Sequence, residues 1–181
     1  MSRIKRLSLL LPAAGLLALS LGPAAAPALA AGHKTVAASH KTVTASGAQT
    51  LSGPLPDGAT YLIQVPANWN GTLFLYSHGY VAPGSPNPAT DVGDPLTGAA
   101  MLAQGFALAG SSYASTGWAI QQALPDQIST LNIFDSQVGH PKRTIAWGHS
   151  LGGIITAGLI QRYPNRFAGA LPWMSGARRA S

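Results

Sequence analysis

Ser150 lies in the stretch Gly148-His-Ser-Leu-Gly152, which has the pattern Gly-x-Ser-x-Gly. A short apolar run precedes the stretch and an apolar, helix-like segment follows it, so we expect the serine at a sharp strand-to-helix turn. The flanking glycines let the turn backbone approach neighbouring chain where a Cβ would clash. The turn exposes the hydroxyl and points N–H groups of the following helix toward developing negative charge. This pattern therefore favours nucleophilic attack on an acyl carbon.

A serine hydroxyl is a weak nucleophile and needs a base within hydrogen-bond reach and a carboxylate to orient that base. The sequence has no Glu, and no Asp or His follows Ser150. All five aspartates precede the serine: Asp57, Asp91, Asp94, Asp126 and Asp135. No residue of this chain is therefore assigned as the acid or the histidine of a catalytic triad.

The histidines have other expected roles. His149 is adjacent to Ser150 on the turn, and neighbouring side chains there cannot point at the same atom, so we expect a spacer. His140 precedes the strand whose far end carries Ser150, about 25–30 Å away at ~3.3 Å per residue. His78 follows a buried strand, and His33 and His40 lie in a low-complexity segment.

The order of predicted elements favours an α/β fold. We predict strands at 59–65, 72–77, 106–112, 143–147 and 167–173, and helices at 96–104, 120–138 and 151–163. The first strand is expected to be the second arm of a hairpin that begins near Gln49, and Pro125 is expected at a helix break or start. Continuous apolar runs suit strands buried on both faces. Their alternation with helices predicts a mostly parallel sheet with helices on both faces.

The first thirty residues have the pattern of a secretory signal peptide. Arg3, Lys5 and Arg6 precede an apolar run at 7–21, and Ala28-Leu-Ala30 has the form of a cleavage site. The run is short and broken by proline, which disfavours a transmembrane anchor. We therefore expect secretion and no membrane span after cleavage.

Residues 31–47 are expected to form a low-complexity linker. They contain a seven-residue repeat that begins at His33 and again at His40. A flexible linker is favoured over a metal-binding or wall-binding tract for so short an Ala/Ser/Thr-rich stretch. The folded domain is expected at 48–174, and residues 175–181 are expected to be an unstructured tail.

Charge and composition exclude several classes of function. The chain has 11 Lys+Arg and 5 Asp+Glu; removing the three basic residues of the signal leaves 8 − 5 = +3. The remaining basic residues are scattered, which argues against nucleic-acid binding. Without cysteine there is no disulfide framework, thiol catalysis or cysteine zinc site. No His/Asp/Glu cluster has ligand spacing, so we expect neither metal nor cofactor.

Three pieces in this order resemble the α/β-hydrolase superfamily: His78-Gly79 after a buried strand, Gly148-His149-Ser150-Leu151-Gly152, and the helix-to-strand link at 162–167. The resemblance implies that Ser150 is the nucleophile and that the backbone N–H groups of Leu151 and Tyr80 form the oxyanion hole. It also implies that His78 orients the oxyanion loop. Gly79 would let that loop approach the substrate closely.

Members of that superfamily have further parallel strands beyond the one predicted at 167–173, and those strands carry the acid and the histidine. We therefore expect this chain to match the N-terminal part of the fold, as a truncated member. Reading the downstream DNA in all frames for an Asp- and His-bearing continuation tests this. The strand at 167–173 would then be an open apolar edge, prone to aggregation or self-association. The isolated chain is expected to be marginally stable or insoluble and to lack triad-level activity.

The sequence leaves three functions open. The first is a secreted serine hydrolase that acts on a small-molecule ester through an acyl-enzyme, with a peptidase-type or other amide-cleaving member of the same fold as the near alternative. The second is a non-catalytic fragment or pseudoenzyme. The third is a cell-wall or polymer-binding protein that uses the basic N-terminal repeat.

Overall fold

A computed structural model describes residues 38–173. The expected signal peptide at 1–30, the first part of the expected linker at 31–37 and the expected tail at 175–181 lie outside the described residues. The described residues include 48–173 of the domain predicted at 48–174.

Seven strands form one sheet in the order β1-β2-β3-β5-β4-β6-β7. The four strands β5, β4, β6 and β7 run parallel, while β1, β2 and β3 add to the β5 edge in antiparallel pairings. The strand bounds are β1 His40–Val43, β2 Gln49–Pro54, β3 Thr60–Val65, β4 Thr72–Ser77, β5 Ala107–Ser111, β6 Arg143–His149 and β7 Gly169–Trp173. This confirms the α/β class and the N-terminal hairpin, which pairs Gln49 with Val65.

Strand β1 differs from the expectation, because it lies inside the segment predicted as a linker. His40–Val43 pairs with β2 in antiparallel register, with Val43 opposite Gln49. The connecting turn is closed by the Gly47 N–H, which donates to the Thr44 carbonyl at 2.9 Å, and Gly47 has a φ of 90°. A β-branched pair followed by a glycine turn is a hairpin signal. The low-complexity repeat concealed it.

The helices are α1 Pro95–Ala103, α2 Ile120–Gln137 and α3 Leu151–Arg162, and a 3₁₀ turn at Pro164–Arg166 leads into β7. Each of the three α-helices begins and ends within one residue of its predicted bounds. Helix α2 continues through Pro125, where a break or a start was expected. Within residues 38–173, no helix is long and apolar enough to cross a membrane.

The main core lies on the sheet face that α2 and α3 cover. Leu73, Leu75 and Phe134 are fully buried there. Because side chains alternate along a strand, Phe74 and Tyr76 point to the opposite face. On that face Tyr76 packs on Trp147, and Gly93, just before α1, approaches the Tyr76 hydroxyl. The carboxyl ends of β4 and β6 are neighbours, since Ser77 pairs with Gly148.

Candidate active site

Ser150 is the single residue between the end of β6 and the start of α3. Its backbone has φ 55° and ψ −125°, a conformation that residues with a Cβ rarely adopt. Such strain persists only where the surrounding structure imposes it, and it clusters at functional sites. The side chain is exposed. The strained turn therefore presents the hydroxyl to solvent at the carboxyl edge of the sheet.

The flanking glycines allow the close packing that imposes this turn. A Cβ on Gly148 would lie 2.5 Å from the Ser77 carbonyl oxygen and 2.6 Å from that of Gly152. A Cβ on Gly152 would overlap the Ser77 carbonyl from the other side. Strand β4, strand β6 and helix α3 therefore meet at van der Waals distance only because both positions lack a side chain.

The segment after β4 lies beside the serine. Ser77 pairs with Gly148, so His78, Gly79 and Tyr80 follow β4 at the level where Ser150 follows β6. A cleft of about 470 Å³ is lined by these residues, by Ser150 and His149, and by the 86–90 loop. No Asp, Glu, Lys or Arg of residues 38–173 lines this cleft. The two motifs from the sequence are therefore brought together around one uncharged cleft.

Two backbone N–H groups are available to an oxyanion. Leu151 is the first residue of α3, so its N–H has no partner within the helix, and the helix N-terminus favours negative charge. The Tyr80 N–H makes no hydrogen bond to any residue of 38–173. The Ser150 N–H is not available, because it donates to the Trp173 carbonyl at 2.9 Å. Leu151 and Tyr80 are the residues that the superfamily resemblance proposes as donors.

His78 lies at the base of the loop, and its ring nitrogens face backbone carbonyls. Nδ1 lies 2.8 Å from the Gly79 oxygen and Nε2 lies 3.2 Å from the Ser112 oxygen. Burial lowers the pKa of His78, so the ring is neutral and donates to one of the two carbonyls. The ring stacks on Tyr113 with centroids 3.9 Å apart. These contacts fix the loop backbone and leave His78 no hydrogen bond to Ser150 among the described residues.

Tyr113 and Gln127 support the same loop, and the sequence reasoning missed both. Tyr113 is buried, has a φ of 60°, and donates its hydroxyl to the His78 carbonyl at 3.2 Å. Desolvation raises its pKa, which keeps the hydroxyl protonated. Gln127 is fully buried in α2 and donates to the Tyr76 carbonyl and the Ser77 hydroxyl at 2.6 and 2.9 Å. Tyr113 and Gln127 therefore both bind the backbone at the end of β4.

His149 contacts two parts of the site. Its Nδ1 lies 2.8 Å from the Tyr76 hydroxyl, and its Nε2 lies 3.3 Å from the point where a Cβ on Gly79 would stand. Desolvation, with a smaller contribution from the Asp94 charge, raises the pKa of Tyr76 to about 12. The expected spacer role therefore omits the hydrogen bond to Tyr76, which no local sequence pattern indicates.

No aspartate within 38–173 forms a hydrogen-bonded pair with a histidine at Ser150. Asp135 lies 3.2 Å from His140, but this pair precedes β6 and so lies at the opposite end of the strand. Asp91 accepts from Gln64 at 2.8 Å, and Asp94 caps α1. The described residues also contain no group of three metal-ligating side chains.

Asp126 is buried at the start of α2, where it accepts a hydrogen bond from the Ala114 N–H at 2.8 Å. Desolvation raises its pKa to about 7, and the neighbouring Asp57 carboxyl adds to this. The pKa of Asp57 is lowered, chiefly by a hydrogen bond with the Asp126 carboxyl. This acid tethers the 113–118 loop and is not placed against Ser150.

Comparison with known proteins agrees with this architecture. No family model matches the chain. An o-phthalyl amidase of Xanthobacter agilis is 30% identical over 122 residues, which are 66% of this chain and 25% of the amidase.

Two solved structures are similar in fold. A cold-adapted esterase from an Arctic intertidal metagenomic library has a TM-score of 0.53 at 16% identity, over 72% of this chain and 62% of that one. An acetyl xylan esterase from Aspergillus awamori has a TM-score of 0.52 at 17% identity, over 74% and 50%. The chain thus spans a quarter of the amidase and between half and two thirds of these esterases. The strand order, the turn at Ser150 and the likeness to solved structures together show that the chain has the α/β-hydrolase fold.

Proposed function

We propose that the protein is an acyl hydrolase in which Ser150 is the nucleophile and the N–H groups of Tyr80 and Leu151 form the oxyanion hole. The observation that carries the proposal is the strained backbone of Ser150, with φ 55° and ψ −125°, between β6 and α3. A conformation this costly is retained where it positions a reactive group. The adjacent cleft supports the same assignment, because it joins Ser150 to the loop that contains Tyr80.

The proposed reaction begins with attack of the Ser150 Oγ on the substrate carbonyl carbon. The hydroxyl proton passes to a base, and the carbonyl oxygen becomes an oxyanion that accepts from the two N–H groups. Collapse expels the alcohol or amine and leaves an acyl-enzyme, which water then hydrolyses. Each oxyanion donor contributes about 3 kcal/mol to the transition state. The base and its carboxylate are proposed to come from residues outside those described.

A small, uncharged ester is the proposed substrate. The cleft has no fixed charge, which disfavours a strongly ionic acyl group. Two exposed aromatic rings stand at its rim, since Tyr80 lines the cleft and lies 6.1 Å from Trp118 between ring centroids. Exposed aromatic rings provide apolar contact area for a substrate.

An amide is the second candidate. The similarity to an o-phthalyl amidase over 122 residues favours it. A peptidase-type reaction belongs to the same alternative, because the nucleophile turn serves both acyl classes. A matched ester and anilide with one acyl group would distinguish them, since each has a chromogenic leaving group of its own.

A non-catalytic role is the third candidate. Its support is that the Ser150 hydroxyl makes no hydrogen bond with any residue of 38–173 and that no histidine follows it in the sequence. In this case the fold would bind a ligand or partner without turning it over.

Self-association through β7 is a further part of the proposal. Within the described chain β7 pairs with β6 alone, and Leu171 and Trp173 are 60% and 72% exposed. An unpaired edge with apolar side chains is a template for pairing with another copy.

We also propose secretion, on the signal-peptide pattern at 1–30. Mass spectrometry of the N-terminus from culture medium tests it, with a start after Ala30 as the supporting result.

The acyl-transfer proposal is tested with a short-chain p-nitrophenyl ester at alkaline pH. Because no described residue supplies the base, hydroxide must serve in its place, so we expect slow release of at most about one equivalent of p-nitrophenolate as Ser150 is acylated, with no sustained turnover. Ser150→Ala should release none above the buffer rate. Equal release by both proteins would refute the assignment of Ser150.

A further inference from the structure

The imidazole of His149 is fixed between two elements of the site. On one side its Nδ1 lies 2.8 Å from the Tyr76 hydroxyl, and the two rings stack with an interplanar angle of 24°. On the other side Nε2 is the ring atom closest to Gly79, at 3.3 Å from a Cβ built there. The ring therefore lies between strand β4 and the oxyanion loop, beside Ser150.

The buried phenol determines which ring nitrogen carries the proton. Tyr76 is 3% exposed, and Nδ1 is the one hydrogen-bond partner of its hydroxyl within residues 38–173. Gly93 packs against the hydroxyl, because a Cβ built on Gly93 would lie 3.1 Å from the Tyr76 hydroxyl oxygen. If Nδ1 donated, the phenol proton would be buried without an acceptor, which costs more than the reverse arrangement. Tyr76 therefore donates, Nδ1 accepts, and the ring proton is on Nε2.

The Nε2–H group is free to act on a ligand. Among the described residues it has no hydrogen-bond partner, and the His149 side chain is exposed. His149 lines the cleft together with Ser150 and Tyr80. The cleft wall thus carries a side-chain donor in addition to the two backbone donors.

We propose that His149 is a specificity-determining residue whose Nε2–H, held by the Tyr76 hydroxyl, binds a second acceptor oxygen on the acyl part of the substrate. The favoured substrates are keto esters and uncharged diesters or diamides of dicarboxylic acids. This rests on the proposed acyl-transfer site, since it names the substrate class of that cleft. His149 takes no part in bond making, and Tyr76 acts as a positioning residue through it.

The test compares methyl 4-oxopentanoate with methyl pentanoate, which differ by one ketone in place of a methylene. Binding to the full chain is measured from ¹H–¹⁵N chemical-shift changes. We expect the keto ester to bind about two- to tenfold tighter, the range of one neutral hydrogen bond. His149→Phe keeps a ring without a donor and should reduce the preference to about onefold. His140→Phe, at the far end of β6, is the matched control and should keep it.

A second measurement does not depend on ligand binding. Long-range ¹H–¹⁵N correlation of the histidine rings should show His149 protonated on Nε2, and Tyr76→Phe should release that tautomer. Protonation on Nδ1, binding of neither ester, equal binding of both, or a preference that survives in His149→Phe would each overturn the inference. Acylation of Ser150 is measured separately. A chain that prefers the keto ester but leaves Ser150 unacylated would refute the proposed function alone.

Discussion

Replacing the nucleophile with glycine should stabilise the fold. Ser150 has φ 55° and ψ −125°, a backbone region that costs a residue with a Cβ about 1–3 kcal/mol. Glycine adopts it without steric cost. The lost hydroxyl matters little, because it makes no hydrogen bond with the described residues. Ser150→Gly therefore removes strain, whereas Ser150→Ala keeps the Cβ and the strain with it.

The magnitude follows from two opposing contributions. Relief of strain adds about 1–3 kcal/mol to the free energy of unfolding, and the greater freedom of glycine in the unfolded chain subtracts about 0.5–1 kcal/mol. Taking the middle of each range, Ser150→Gly should exceed Ser150→Ala in unfolding free energy by about 1 kcal/mol. Ser136, exposed within α2, is the matched control. There glycine should be less stable than alanine by about 1 kcal/mol.

Urea denaturation followed by tryptophan fluorescence gives these free energies by linear extrapolation. The four variants are compared at one pH and protein concentration, with equal m-values as the condition for comparison. Ser150→Gly no more stable than Ser150→Ala would refute the strained turn, and with it the physical basis for assigning Ser150.

Three further predictions concern packing, pH and association. Gly152→Ala should lower the free energy of unfolding by about 1–3 kcal/mol, because its Cβ would overlap the Ser77 carbonyl. Gly169→Ala is the control and should lower it clearly less, because its Cβ would meet only a flexible side-chain end at 3.4 Å. Equal losses of unfolding free energy in the two variants would contradict this prediction. The pKa of Asp126 is raised from 3.8 to about 7 in the folded state, so between these pH values the native state holds a proton that the unfolded state has lost. The free energy of unfolding should therefore fall as the pH rises from about 4 to 7, by at most about 4 kcal/mol. Urea midpoints measured across that window should slope for the natural chain and flatten in Asp126→Asn; an unchanged slope would exclude Asp126 as the cause. Leu171→Lys should reduce association in sedimentation velocity, since a charge on an exposed edge strand opposes pairing, and unaltered association would locate the contact elsewhere.

Local sequence patterns were sufficient for the elements that carry the site. The apolar runs at Thr72–Ser77 and Arg143–His149 have few polar interruptions, so they indicated buried strands, and the glycines around Ser150 indicated the turn. Strand β1 was missed because the low-complexity repeat concealed the β-branched residues and the glycine turn that lead into β2. Pro125 was overestimated as a helix breaker, since the helix around it is anchored by buried neighbours such as Asp126 and Gln127.

The supporting contacts of the site could not be read from spacing. The His78 ring faces a carbonyl 34 residues away, Gln127 reaches Ser77 across 50 residues, and Tyr76 reaches His149 across 73. The residues that flank each of these side chains in the sequence form no motif that would indicate the contact. These contacts support the loop after β4 and the turn at Ser150 only because the sheet register places β4 beside β6.

The most direct test of the account is phosphonylation of the purified chain by an alkyl fluorophosphonate, with adducts located by peptide mass spectrometry. The two N–H groups stabilise the charge that develops on the phosphoryl oxygen as the Ser150 hydroxyl attacks. The account therefore predicts an adduct on Ser150 that forms at least about tenfold faster than any adduct on the exposed Ser136. Adducts at similar rates on both serines, or none on Ser150, would contradict the claim that this turn and its two N–H donors form an acyl-transfer site.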